Sequence, residues 1–184
     1  MSEKLKVSGG TPPPPRPPCQ HRQGGEIKPV QIGTHTVWAG GGMYFSAKET
    51  AGFDLLVNLR AETLPKGLTF GQQDGNILYL PIADYSTIPE WDIVMFGKRM
   101  LHVGRQMKAE KRVVIYCAGG HGRTGLVLCW LLMQFEPMTQ DPVTEIRRRY
   151  CDHAVETEEQ RAQVARWSKA KAFHTAMNSE GETT

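Results

Sequence analysis

Residues 113–130 read VVIYCAGGHGRTGLVLCW and carry the strongest structural signal in the chain. The stretch begins with β-branched and aromatic residues, which are typical of a buried strand. It ends with residues that are apolar on every side, which are typical of a buried helix. Cys117, three glycines, a histidine and Arg123 lie between the two. A strand, a glycine-rich loop and a helix in this order predict the ligand-binding edge of an α/β sheet.

Other apolar runs in the chain predict the rest of the sheet and its helices. Runs with the length and composition of buried parallel strands occupy 53–59, 77–82 and 112–117. A hairpin or a pair of edge strands is predicted over 30–40, and helices after Ser46, over 91–108, 124–135 and 141–150, and from 157 onward. We therefore predict an α/β fold in which a central, mostly parallel sheet of roughly four to five strands is flanked by helices.

The composition indicates one domain between two tails. Residues 1–27 are rich in Pro and Gly and are expected to be a disordered tail, 28–178 to form the domain, and 179–184 to be a second disordered tail. The PPPPRPP stretch of the first tail could bind an SH3-like or WW-like partner. A net charge of +3 gives no reason to expect a nucleic-acid partner, and the longest apolar run is too short to span a membrane. The cysteine spacing and the polar N-terminus favour a reduced, cytoplasmic protein.

The loop after the strand has the residue types that phosphate chemistry needs. Its glycines allow successive backbone N–H groups to converge on an anion, beside the positive end of the following helix. The same field, reinforced by Arg123, favours the thiolate form of Cys117 and so makes it a nucleophile. Arg123 can bind two phosphate oxygens with its planar guanidinium. The hydroxyl of Thr124 can stabilise the sulfur when it departs.

The segment from Cys117 to Gly125 resembles the Cys-x5-Arg-Ser/Thr phosphate loop of the protein tyrosine phosphatases, in their dual-specificity-like branch. The resemblance implies the fold of that family for 28–178, with no metal or other cofactor. It implies that Asp84 protonates the leaving oxygen, and that Glu156 and Gln160 position the hydrolytic water, Glu156 standing where the family commonly has glutamine. The phosphate-binding residues that it implies are Ala118, Gly119, Gly120, His121, Gly122 and Arg123.

The resemblance predicts a hydrolase that cleaves phosphotyrosine through a phosphocysteine intermediate on Cys117, with phosphoserine and phosphothreonine left open. One alternative is a phosphatase for a non-protein phosphate such as a phosphoinositide, an inositol phosphate or an RNA 5'-phosphate. Another is a phosphate-binding module without activity. The side chain of His121 could contact substrate or pack behind the loop, and Glu90 or Asp92 could replace Asp84 as the acid.

Two other kinds of site are disfavoured by the same residues. A nucleotide-binding P-loop needs a glycine and a lysine where this chain has Cys117 and Arg123. A metal site could be assembled from the Cys/His pairs at 19/21, 117/121 and 151/153, but none of these pairs has a recognised zinc spacing.

Overall fold

The computed structural model describes residues 27–42, 51–64, 66–137 and 140–170. The two predicted tails, the helix expected after Ser46 and the proline-rich stretch lie outside these ranges. Within them, no helix combines the length and the apolar character needed to cross a membrane.

The described residues form one mixed sheet of six strands, in the order β1-β2-β6-β3-β5-β4. The strands are β1 Lys28–Ile32, β2 His35–Gly41, β3 Leu55–Arg60, β4 Gln73–Asp74, β5 Ile77–Ile82 and β6 Val113–Cys117. The antiparallel pairs are β1 with β2 and β4 with β5, whereas the four central strands β2, β6, β3 and β5 run parallel to one another. The mostly parallel α/β sheet and the β1–β2 hairpin are therefore confirmed, but the expected number of strands was too low. The two-residue edge strand β4 has no apolar alternation that could have revealed it.

Four α-helices lie in the described ranges, and their termini follow local sequence signals. They are α1 Ile93–Lys108, α2 Gly122–Phe135, α3 Pro142–Arg149 and α4 Glu158–Lys169. The Asp141 carboxylate accepts a hydrogen bond from the Thr144 N–H at 2.8 Å and caps α3. Thr157 and Gln160 form a capping box at the start of α4. Helix α2 begins at Gly122, earlier than predicted, so Arg123 lies in its first turn.

The core surrounds β6 and α2 and holds the glycine-rich loop between them. All five residues of β6 are buried. Val113, Ile115 and Cys117 join the main core cluster, whereas Val114 and Tyr116 join a smaller cluster with Phe53 and Leu56. Because side chains alternate along a strand, the two clusters lie on opposite faces of the sheet. Every residue of α2 from Gly122 to Met133 is buried, as its all-round apolar pattern predicts.

Candidate active site

Three parallel strands end at the same edge of the sheet and bring their following residues together. The strands β6, β3 and β5 are neighbours in that order. Cys117 is the last residue of β6, Glu62 follows the end of β3 by two positions, and Asp84 follows the end of β5 by two positions. Since the carboxyl ends of parallel strands share an edge, a thiol and two carboxylates converge on the start of α2.

The loop between β6 and α2 is tightly curled around the sulfur of Cys117. Gly120 has a φ of +75°, and a Cβ atom there would lie 2.6 Å from the backbone of Gly40 and Gly41. Only glycine fits this position. The Gly120 N–H donates a hydrogen bond to Cys117 Sγ at 3.2 Å, and the Tyr150 hydroxyl donates to the Gly120 carbonyl at 2.6 Å. The loop therefore directs a backbone amide at the buried thiol, and the end of α3 supports it from outside.

Arg123 is the best-anchored cation of the site. Its side chain is 2% exposed, and its Nη1 donates to Glu62 Oε2 at 2.8 Å and to the Ile82 carbonyl at 3.1 Å. Its Nη2 lies 2.9 Å from Asp84 Oδ1. Burial opposes the charged form, but the hydrogen bond to Glu62 and the charges of Cys117, Glu62 and Asp84 prevail and raise the pKa of Arg123. The guanidinium is thus held permanently charged in one orientation beside the loop.

Glu62 is the functional residue that the sequence analysis missed. Its carboxylate receives hydrogen bonds from Arg123 and from Arg60 Nε at 3.3 Å. Partial burial raises its pKa, but the hydrogen bond and charge of Arg123 outweigh that effect and lower the pKa below its ordinary value. The available signal was its position: an acidic residue shortly after a buried strand that is parallel to β6 must lie near the loop.

Asp84 lies at the mouth of the site on a well-anchored segment. Its side chain is 59% exposed and pairs with Arg123. The Gln160 Nε2 donates to the Ser86 carbonyl at 2.9 Å, and the Gln163 amide exchanges two hydrogen bonds with the backbone of Ile88. Glu90 and Asp92, the alternative acids, lie beyond this anchor in a 3-10 turn, and in the described part of the chain neither pairs with Arg123.

Glu156 and Gln160 reach the site in different ways. The Gly122 N–H donates to Glu156 Oε2 at 2.9 Å, so this carboxylate sits on the first amide of α2, beside the loop. The amide of Gln160 is engaged in the protein itself: its Oε1 accepts from the N–H groups of Glu156 and Thr157. Its Nε2 is bound to the Ser86 carbonyl. Both ends of the Gln160 amide are therefore bound within the protein. These hydrogen bonds hold in place the segment that carries Glu156.

The side chain of His121 packs behind the loop. It is 3% exposed, its Nδ1 lies 3.3 Å from Cys151 Sγ, and its ring meets that of His153 at a centroid distance of 5.9 Å. The side chain therefore points away from the phosphate site, and only the backbone of His121 is placed to contact a phosphate. Although this cluster brings together both members of one of the considered Cys/His pairs, no group of three or more potential ligands in the described ranges could hold a metal.

Thr124 and Cys129 are two further buried residues of α2. Thr124 is fully buried, and among the described residues its Oγ1 has no hydrogen-bond partner. A hydroxyl that folding leaves unsatisfied one residue after Arg123 is available to a group formed during a reaction. Burial raises the pKa of Cys129, which keeps that thiol protonated and makes it an inert part of the core.

A family model described as the DSP-PTPase phosphatase domain of the Swiss Army Knife proteins matches residues 45–181. The uncharacterized proteins MJ0215 and MJECL20 of Methanocaldococcus jannaschii are 43% and 39% identical over 98 residues, or 51% of this chain. The matched region spans 56% and 60% of these relatives, so the chain covers little more than half of their length.

Solved structures of phosphatases share the fold. The active form of Tk-PTP has a TM-score of 0.56 at 25% identity, covering 75% of this chain and 93% of that chain. Kinase associated phosphatase, with its catalytic cysteine replaced by serine, has a TM-score of 0.61 at 18% identity, covering 81% and 97%. DUSP15 has a TM-score of 0.64 at 15% identity, covering 85% and 98%. At such identities the last two comparisons concern the fold alone.

Proposed function

Since the chain belongs to the DSP-PTPase phosphatases of the cysteine-dependent protein tyrosine phosphatase superfamily, we propose that it hydrolyses phosphomonoesters through a phosphocysteine on Cys117. The observation that carries the proposal is the convergence on one loop of a thiol, an amide directed at its sulfur, a buried guanidinium and a carboxylate at its mouth. These are a nucleophile, an anion site and a proton donor within one edge of the sheet.

In the first step the Cys117 thiolate attacks phosphorus and forms an S–P bond, while the bond from phosphorus to the ester oxygen breaks. The loop amides and Arg123 bind the three remaining phosphate oxygens and stabilise their charge in the transition state. Asp84, in its protonated form, gives its proton to the departing oxygen. The Asp84 carboxylate pairs with Arg123 Nη2 at 2.9 Å, so a phosphate bound on Arg123 competes with Asp84 for the guanidinium and frees the Asp84 carboxyl for this transfer.

In the second step water attacks phosphorus, the S–P bond breaks, and inorganic phosphate leaves. Asp84, now a carboxylate, accepts the proton of the water, and Thr124 donates a hydrogen bond to the departing sulfur. Glu156 is the residue beside the loop that can accept a hydrogen bond from that water, because its second carboxylate oxygen remains beyond the one bound to the Gly122 N–H. Gln160 contributes by holding the backbone of Glu156 in place.

The substrate that we propose is a phosphorylated protein with phosphotyrosine, and phosphoserine or phosphothreonine where the pocket admits them. A non-protein phosphate is the runner-up, because loop amides and one guanidinium recognise any phosphomonoester. Because the His121 side chain packs behind the loop, it gives the phosphate site no further contact that would favour highly phosphorylated ligands. A phosphate-binding module without turnover is disfavoured, because Asp84 contacts Arg123, a contact that a binding module does not need.

The proposal is tested by turnover of p-nitrophenyl phosphate by the full chain and two variants. We expect Cys117→Ser to abolish turnover, and Asp84→Asn to lower kcat by about 10²–10⁴-fold with little change in substrate binding. Undiminished turnover by Cys117→Ser would refute the assignment of Cys117 as the nucleophile. If Asp84→Asn is as active as the wild type, another residue is the general acid, and Asp92→Asn and Glu90→Gln are the variants that test the two alternatives.

A further inference from the structure

The exposed apolar side chains of the described residues are concentrated in one segment beside the active site. Tyr85 is 64% exposed, Trp91 83%, Val94 68% and Met95 40%, and they are the exposed large hydrophobic residues of the described ranges. Tyr85 follows Asp84 directly, Trp91 lies in the 3-10 turn just before α1, and Val94 and Met95 lie in the first turn of α1. Exposed apolar groups that cluster in this way, next to a functional site, are typical of a binding surface rather than of ordinary surface composition.

A cationic groove continues from this apolar cluster along α1. Helix α1 contains no Asp or Glu, and a groove of about 480 Å³ is lined by Met95, Lys98, Arg99, Leu101, His102 and Arg105. In the part of the chain that the structure describes, Lys98, Arg99 and Arg105 have no ion-pair partner. Burial, and after it the charges of Arg105 and Arg99, lower the pKa of His102 in the same groove.

The surface is held rigidly to the catalytic machinery. The hydrogen bonds of Gln160 to Ser86 and of Gln163 to Ile88 fix the chain between Asp84 and α1. Met95 and Arg99 also pack against Gly71, where a Cβ atom would lie 3.0 Å from Met95 Cγ. A ligand bound along α1 therefore keeps one position relative to Asp84.

We propose that Tyr85, Trp91, Val94 and Met95, together with the groove of Lys98 and Arg105, form a docking face for an acidic segment of the phosphoprotein substrate that also carries an apolar side chain. The inference rests on the proposed function and specifies its substrate class. Unpaired cations along the groove complement an acidic chain, and the exposed Trp91 gives the type of aromatic anchor that dominates protein interfaces. A groove, being concave, fits an extended chain better than it fits the flat surface of an anionic membrane.

The test measures binding without requiring turnover. The probe is a dye-labelled peptide without phosphate, of Glu and Asp with one Leu and one Phe, and its partner is the same peptide with Lys in place of the acids. The full chain is expected to bind the acidic peptide and not the basic one. Lys98→Ala with Arg105→Ala should weaken binding about tenfold, and Trp91→Ala by a similar factor. The matched control is Arg166→Ala with Lys169→Ala, which removes two exposed cations from α4 and should change nothing.

The outcomes separate this inference from the proposed function. All of these variants should keep the wild-type kcat/KM for p-nitrophenyl phosphate, and the α1 variants should lose kcat/KM only on an acidic phosphopeptide. Equal binding by the α1 and α4 variants, or binding of phosphatidylserine vesicles with none of the acidic peptide, would overturn the docking face. Peptide binding that depends on α1, in a protein that hydrolyses nothing, would leave the docking face standing and refute the proposed function alone.

Discussion

Replacing Glu62 by glutamine tests whether the charge of the Glu62 carboxylate is needed to hold the guanidinium of Arg123 in its orientation. The variant keeps the size of the side chain and an acceptor oxygen, but it removes the charge that Arg123 contacts at 2.8 and 3.3 Å. Hydrogen bonds to a charged group contribute about 1.5–3 kcal/mol. Because 43% of the Glu62 side chain is exposed, solvent screens the pair, and we take a value just below this range, about 1.4 kcal/mol, which corresponds to about a tenfold loss in kcat/KM.

The assay is steady-state hydrolysis of p-nitrophenyl phosphate with inhibition by inorganic phosphate measured in parallel. If Glu62 orients Arg123, the affinity for phosphate and kcat/KM fall together in Glu62→Gln, and urea unfolding shows the fold intact. Glu159→Gln, which changes an exposed carboxylate of α4, is the control. A folded Glu62→Gln protein whose kcat/KM stays within twofold of the wild type would refute the positioning role.

Three further predictions concern the loop, its neighbour and the stability of the fold. Gly120→Ala should lose activity by about 100-fold or more, because a Cβ atom there would clash with the backbone of Gly40 and Gly41. The control is Gly75→Ala, at a glycine with a φ of +57° and open space around it, which should lose about 1 kcal/mol of stability and keep its activity. Equal activity of the two variants would contradict the steric argument. Glu156→Gln should lower the inhibition constant of phosphate about threefold or more, because a negative charge leaves the loop, and an unchanged constant would contradict this. Arg149→Ala should lower the free energy of unfolding by about 1–2 kcal/mol at pH 7, through loss of its contacts with Glu136 and Glu145. Hydrogen bonds from Arg148 and Arg149 lower the pKa of Glu145 from 4.5 to about 2, so the stabilisation is complete at a pH above 4.5, the pKa in the unfolded chain, and disappears as the pH falls towards 2. If the difference in free energy of unfolding between the wild type and Arg149→Ala, measured in urea, does not shrink in acid, this prediction is wrong.

The parts of the site that depend on local chain geometry could be predicted from the sequence. The strand, the glycine loop and the helix around Cys117 are each signalled by neighbouring residues, and so is the capping box of Thr157 and Gln160. The capping box also engages the amide of Gln160, to which the family resemblance gives a water-positioning role. Its amide is consumed by the cap and by Ser86, and that second contact depends on tertiary packing that no local pattern contains.

The parts that depend on the order of the strands were harder to predict. Glu62 and Asp84 are similar carboxylates after similar strands, but only Asp84 was identified, through a family resemblance. The strand order β6-β3-β5 makes them equivalent, since both then lie within hydrogen-bonding distance of Arg123. Likewise, the close approach of Gly40 and Gly41 to the loop follows from the pairing of β2 with β6, which the spacing of the apolar runs does not determine.

The most direct measurement of the central claim is the location of the phosphoryl group during turnover. Wild-type protein is mixed with p-nitrophenyl phosphate, denatured within milliseconds, and analysed by intact-mass and peptide mass spectrometry. The account predicts one phosphoryl group per chain, bound to the sulfur of Cys117 and absent from Cys117→Ser. A phosphoryl group on any other residue, or hydrolysis that continues in Cys117→Ser, would contradict it.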